Sequence, residues 1–181
     1  MVGDKSMAWE LSFLHMLESI HDGGIVDGIM ILLSTLGNAG ILWIAISLIL
    51  LIPNRTRKVG LQTIIAMLVT FIVGNLILKN IIHRARPYVV DPTLQLLIAK
   101  PSEYSFPSGH TMNGYTAAIT FFFYNKKWGS IAIVFATAIA FSRMYNLVHF
   151  PTDIMGGLAI GICSAISVHY FMNRKKKEVR E

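Results

Sequence analysis

The chain has 181 residues and a formal charge of +6, yet only 14% of its residues are charged and 54% are hydrophobic; mean hydropathy is +0.56. Soluble domains carry about 25% charged residues, so this composition excludes one and points to a membrane-embedded protein with several runs near the ~20 apolar residues that a span requires. The positive charge does not argue for nucleic acid, because the basic residues cluster at the ends of apolar runs, as topology demands; no nucleic-acid partner is expected.

Taken in order, residues 7–21 set Trp9, Phe13, Leu14, Leu17 and Ile20 among Glu10, Ser12, His15 and Glu18. That spacing predicts an amphipathic helix, lying in the membrane interface or packed on a bundle. Residues 1–5 lack a basic region running into a compact apolar core, so no cleavable signal is expected. Asp22, Gly23 and Gly24 break the helix, and residues 25–36 form a second apolar helix too short to span, ending at Gly37. Residues 1–36 are thus read as an N-terminal interfacial segment.

Residues 37–173 read as a transmembrane domain of about five spanning helices, at 41–52, 61–83, 109–124, 128–145 and 151–172, followed by a basic tail at 174–181. The expected fold class is an all-α, polytopic transmembrane bundle. No repeat, low-complexity stretch or second domain interrupts it, and the single cysteine, Cys163, permits no intrachain disulfide. If residues 53–58 are cytoplasmic, alternation puts the 125–127 turn and the C-terminus there too, so three basic clusters share one side. The other side receives the 84–108 loop and the 146–150 turn.

Three elements reach that opposite side. The first carries Lys79 and Arg86, about two helical turns apart and so on one face, with Arg84 pointing away and Pro87 stopping the helix. The second is the turn Pro107, Ser108, Gly109 and His110 at the head of an apolar helix. Its free backbone N–H groups and the positive end of the helix dipole make an anion site, and His110 can move a proton near neutral pH. The third brings Ser142 and Arg143, then His149, then Asp153 just after Pro151, where a carboxylate can orient an imidazole. Together they gather cations, imidazoles, a carboxylate and a helix N-terminus. No metal-ligand spacing and no Walker-type loop is present in the sequence, so phosphoryl transfer without a metal or other cofactor is expected.

The chain resembles the phosphatidic acid phosphatase type 2 superfamily of membrane lipid phosphatases. The pattern is Lys79-x6-Arg86-Pro87, then Pro107-Ser108-Gly109-His110, then Ser142-Arg143-x5-His149-x3-Asp153, with every position and spacing filled across about residues 60–160. The resemblance implies His149 as nucleophile forming a phosphohistidine, Asp153 holding it, and His110 as proton donor and then base. It implies that Lys79, Arg86, Ser108, the Gly109 amide and Arg143 bind the phosphate. Two features depart from many relatives: Leu147 stands where a glycine is common, and the amphipathic N-terminal region replaces an extra spanning helix. The implied activity is hydrolysis of a lipid-linked phosphate at the extracytoplasmic face of the plasma membrane, with membrane lipids as surroundings. Among relatives the design is similar to bacterial undecaprenyl-diphosphate phosphatases, which recycle the cell-wall carrier lipid. Phosphatidylglycerophosphate and phosphatidic acid are the alternative substrates, and oligomeric state is open. Two other classes stay open: a lipid-binding or transport protein on the same scaffold, against which both His149 and His110 stand, and vanadium-dependent peroxidase chemistry, against which the hydropathy stands.

His15, His21 and His169 lack partner patterns and read as structural, and Gly157 and Gly161 read as a close helix contact. The sequon at Asn54 falls on the expected cytoplasmic side and is set aside.

Overall fold

The structure, a computed structural model, describes residues 4–178; residues 1–3 and 179–181, the latter ending the expected basic tail, lie outside it. The described residues are helices joined by turns: α1 (Asp4–Glu18), α2 (Ile25–Leu36), a 3₁₀ turn (Asn38–Gly40), α3 (Ile41–Leu51), and α4 (Arg57–Phe71). A π-helical segment (Ile72–Leu78), α5 (Lys79–Ile82), α6 (Pro87–Val90), α7 (Gly109–Tyr124), α8 (Lys126–Tyr145) and α9 (Pro151–Glu178) follow.

The bundle is built around α7, which packs on α4, α8 and α9. Small and hydroxyl side chains let the neighbours come close: Gly114, Thr116, Ala117, Ala118 and Thr120 of α7 are all buried. The Thr116 and Thr70 hydroxyls bond to each other at 2.8 Å across α7 and α4. A Cβ on Gly157 would stand 2.8 Å from the Ser108 carbonyl oxygen, and one on Gly161 would stand 2.7 Å from that of Met112. The glycine pair therefore serves close packing, as expected. Trp43, Met67, Phe121 and Ile139 fill the core, while Ile49, Leu68, Val134 and Phe171 point outward with more than half their surface uncovered. Such an apolar exterior suits hydrocarbon rather than water.

Three helical stretches are each long and apolar enough to cross a membrane: Arg57–Val90, Lys126–Tyr145 and Pro151–Arg174. The expected span at 41–52 is different. Its helix α3 has 11 residues, only ~16 Å at 1.5 Å per residue. It qualifies only jointly with α2, to which it is joined at a 46° bend. The bend arises because Ala39 and Gly40 adopt left-handed φ values of 51° and 69°. The bent pair runs across the boundary placed at 36/37 from sequence. The remaining expected span, α7, is 16 residues long and is enclosed by its neighbours.

At the end of α5 the structure corrects the sequence reading. The helix does not run on to Pro87: His83 turns left-handed at φ 49°, and residues 83–86 are non-helical. Pro87 opens the short α6 at its first position, where its missing N–H costs nothing. Lys79 and Arg86 consequently meet through a break rather than along one helical face. Meanwhile α1 docks on this same end of the bundle, burying Leu14 and Leu17 against Leu94, Leu147 and Phe150 while Trp9 and Met16 stay about half exposed. Leu147, in place of the common glycine, takes φ 58° and is fully buried in that cluster. Strain at that backbone is thus offset by apolar packing.

Candidate active site

A cavity of about 1270 Å³ opens at the end of the bundle that carries α1, the 84–108 loop and the 146–150 turn. Lys79, Arg86, Gly109, His110, Arg143 and His149 all line it. The three sequence elements are thus brought together although they come from α5 and its break, the head of α7, and the α8–α9 connection.

His149 is 2% exposed. Its Nδ1 lies 3.4 Å from Asp153 Oδ2 and 3.5 Å from Ser105 Oγ, and its Nε2 lies 3.4 Å from Arg86 Nη1. An Nδ1 proton directed at the carboxylate makes Nε2 the lone-pair nitrogen, which faces the cavity wall and accepts a long contact from Arg86 Nη1. Burial pushes the imidazole down to about 3, the two neighbouring arginines acting in the same direction and the Asp153 hydrogen bond against it. His149 is therefore neutral at physiological pH, the form a nucleophile needs.

Asp153 is fully buried and well supplied with donors. Its Oδ2 accepts from Ser105 Oγ at 2.5 Å and from the Phe150 N–H at 2.8 Å, and its Oδ1 accepts from Arg84 Nη1 at 2.6 Å. Arg84, set aside from helical periodicity, points here because the break at His83 turns it. Arg84 in turn pairs with Glu10 of α1, whose Oε1 accepts from Thr152 N at 3.1 Å and Thr152 Oγ1 at 2.6 Å. The first amphipathic helix therefore holds the carboxylate that orients His149. No sequence signal marked Glu10 or Ser105, since their partners lie 142 and 48 residues away along the chain. Removing one partner of a buried ion pair costs about 3–5 kcal/mol, and loss of groups that orient a reacting residue costs about 10–100-fold in activity in metal sites. Glu10→Ala is expected to show a loss of that order in kcat with little change in KM, and Glu10→Gln a smaller one. A fall in KM affinity with kcat intact would contradict the linkage.

The cations differ sharply in their partners. Lys79, 6% exposed, pairs with Glu103 of the 84–108 loop, and that pairing holds the Glu103 carboxyl below its usual range. Arg86 donates to the carbonyl oxygens of Glu103 at 2.6 Å and Val148 at 2.8 Å. Arg143 donates to Ser34 Oγ, and its buried Nε has no partner. Among the described residues, neither buried arginine has a carboxylate partner within ion-pair distance. Holding such charges out of water costs on the order of several kcal/mol each, so this arrangement is matched to an anion in the cavity.

The head of α7 presents Gly109 to the cavity, while the Ser108 hydroxyl is fully buried and accepts from Thr111 Oγ1 at 3.1 Å. His110 Nε2 is 3.1 Å from both the Ser34 carbonyl oxygen and Asn38 Oδ1. Since both are acceptors, Nε2 carries the proton. The bend between α2 and α3 thus supplies the groups that hold His110, a contribution not foreseen from sequence.

Residues 58–177 match the family described as the PAP2 superfamily. An undecaprenyl-diphosphatase of Sulfolobus acidocaldarius is 36% identical over 161 residues, covering 88% of this chain and 76% of that protein. Undecaprenyl-diphosphatase BcrC of Bacillus subtilis is 27% identical over 142 residues, 78% of this chain and 72% of that one. Among solved structures, a transmembrane PAP2-type phosphatidylglycerolphosphate phosphatase from Bacillus subtilis superimposes with a TM-score of 0.79 at 25% identity, covering 94% of this chain and 88% of that chain.

Proposed function

Because the chain belongs to the PAP2 superfamily of membrane lipid phosphatases, we propose that it hydrolyses a polyprenyl diphosphate, in the manner of an undecaprenyl-diphosphatase, through a phosphohistidine on His149. The observation that carries the phosphate site is the pair of buried, carboxylate-free arginines, Arg86 and Arg143, lining the same cavity as His149. In the first step His149 Nε2 attacks the terminal phosphorus and the bond to the bridging oxygen breaks. His110 enters this step as the imidazolium and gives its other ring proton to the leaving oxygen, becoming neutral, while its Nε2–H stays on the Ser34 carbonyl and Asn38. Water then attacks the phosphohistidine with His110 as base, releasing inorganic phosphate and restoring the imidazole. Lys79, Arg86, Arg143 and the Gly109 N–H stabilise the equatorial oxygens, and Ser108 shapes the turn from behind while its hydroxyl is turned toward Thr111. Asp153 keeps His149 in the attacking tautomer. No metal or other cofactor enters these steps.

The names of the similar diphosphatases support the substrate. The fold shared with a phosphatidylglycerolphosphate phosphatase favours a second reading, a glycerolipid phosphate. Purified protein in detergent, assayed with EDTA present, is expected to release phosphate from undecaprenyl diphosphate at least ~10-fold more efficiently than from phosphatidylglycerophosphate or phosphatidic acid. Release from glycerolipids alone would overturn the substrate, and strict dependence on a divalent ion would overturn the metal-free mechanism.

We place the site on the extracytoplasmic face of the plasma membrane. Support comes from Arg57, Lys58 and Arg174 in the basic clusters, with Lys58 bonded to Asn173 at the end of the bundle opposite the cavity. A membrane-impermeant thiol reagent applied outside is expected to label a cysteine at Ser102 and spare one at Ser130. The reverse pattern would invert the orientation.

A further inference from the structure

Two carboxamides in the wall of the cavity are not absorbed by the steps above. Asn75 and Asn113 both line it, Asn75 in the apolar stretch Arg57–Val90 and Asn113 in α7 at the centre of the bundle, rather than in the loops at its mouth. Among the described residues, neither side chain has a hydrogen-bond partner in the protein. An amide has two N–H donors and a carbonyl acceptor, and leaving them unmet in a membrane interior is costly. Groups of this kind are retained where water or a ligand meets them.

Their placement says which part of a ligand they face. Asn75 lies one turn before Lys79, and Asn113 one turn after Gly109, so both stand about 5.4 Å deeper in the bundle than the phosphate cradle. Asn75 belongs to the π-helical segment Ile72–Leu78, a distortion often found at functional sites. Gly74 in that segment lets Met112 approach to where a Cβ would be 2.3 Å from its sulfur. The Asn75 Oδ1 comes within 3.8 Å of a Cβ position on Gly109, and the Asn113 Nδ2 within 2.7 Å of one on Gly40. The two amides therefore flank the head of α7, one against its first residue and one against the α2–α3 bend.

In-line displacement puts the leaving oxygen opposite the nucleophile. His149 reaches the phosphate from the 146–150 turn at the end of the bundle, so the leaving group extends toward the middle of the bundle, where these amides lie. We propose that Asn75 and Asn113 form a leaving-group subsite that binds the lipid-side phosphate of a diphosphate. Their N–H groups would donate to its non-bridging oxygens without adding fixed charge, so the lipid monophosphate product can leave once the terminal phosphate is transferred. A lipid monoester places carbon and ester groups at this depth and gains less from the same donors. The subsite rests on the reading of the chain as a diphosphate phosphatase.

The test uses the full chain in detergent with Asn75→Leu, Asn113→Leu and the smaller Asn75→Ala and Asn113→Ala, each checked for wild-type-like thermal melting. The readout is the ratio of kcat/KM for undecaprenyl diphosphate to that for phosphatidic acid. Losing a hydrogen bond to a charged phosphate costs about tenfold or more, so the ratio is expected to fall about tenfold in each folded variant. An unchanged ratio in the folded variants, whether both activities fall together or neither falls, overturns the subsite while leaving the diphosphatase reading intact. A wild-type protein inactive on diphosphates overturns that reading and the subsite with it.

Discussion

Replacing His149 with alanine is expected to lower turnover by at least ~10⁴-fold, the scale seen when a catalytic nucleophile is removed. The imidazole is 2% exposed, its Nδ1 faces Asp153 and its Nε2 faces the cavity beside Arg86, so no neighbouring group can take its place. Phosphate release from every lipid substrate should fall to background while the fold persists. The same variant carries a stability signature. Because burial holds His149 down at about 3, below the ordinary value near ~6.5, the unfolded chain binds the extra proton between those values. His149 therefore costs the native state nothing above ~6.5 and weakens it progressively as pH falls toward 3. His149→Ala should flatten that part of the acid-induced loss of stability in detergent. Activity retained on any lipid phosphate, with an unaltered acid profile, would contradict both assignments.

Arg143→Met is expected to separate activity from stability. The guanidinium is 3% exposed, its Nε is unpartnered, and its bond to Ser34 Oγ does not neutralise it. Removing one donor that stabilises charge in a transition state costs about 10²–10³ in rate. The substitution also removes a buried, uncompensated charge, and replacing such groups by apolar ones of similar volume is often neutral or stabilising by about 1–4 kcal/mol. The variant should therefore lose about 10²–10³ of kcat/KM while melting at the same or a higher temperature. A parallel collapse of both quantities would make Arg143 a structural residue rather than part of an anion site.

The candidate residues at the segment ends were legible, whereas Asn75, Asn113 and Glu103 of the same cavity were not. Lys79 and Arg86, Gly109 and His110, and Arg143 and His149 sit at segment ends, and alternation of spans delivers those ends to one side. What supports them was not legible. Arg84 was read as pointing away because helical periodicity was carried through His83, where no glycine or proline announces the left-handed turn at φ 49°. Glu10 lies on an amphipathic stripe that gives no hint of a partner, yet it reaches Thr152 and Arg84 at the far side of the sequence. The bend at Ala39 and Gly40 was visible only as the end of a helix, and its consequence, Asn38 and Ser34 against His110, depends on where α2 packs. Periodicity is local, whereas ion pairs over 74 residues and hydrogen bonds over 142 are decided by packing. The π-helical segment at Ile72–Leu78 was likewise not read from the sequence; within it Gly74 leaves room for Met112, whose sulfur would stand 2.3 Å from a Cβ there.

The central claim is that the phosphoryl group passes through His149. Rapid acid-free quenching of the purified enzyme with polyprenyl diphosphate labelled in its terminal phosphate tests it most directly, followed by peptide mapping. The account predicts a label on the peptide containing His149 that is stable in base and lost in acid, as a phosphohistidine is, and absent from His149→Ala. Full turnover with no label on that peptide, or a label elsewhere in the chain, would contradict it.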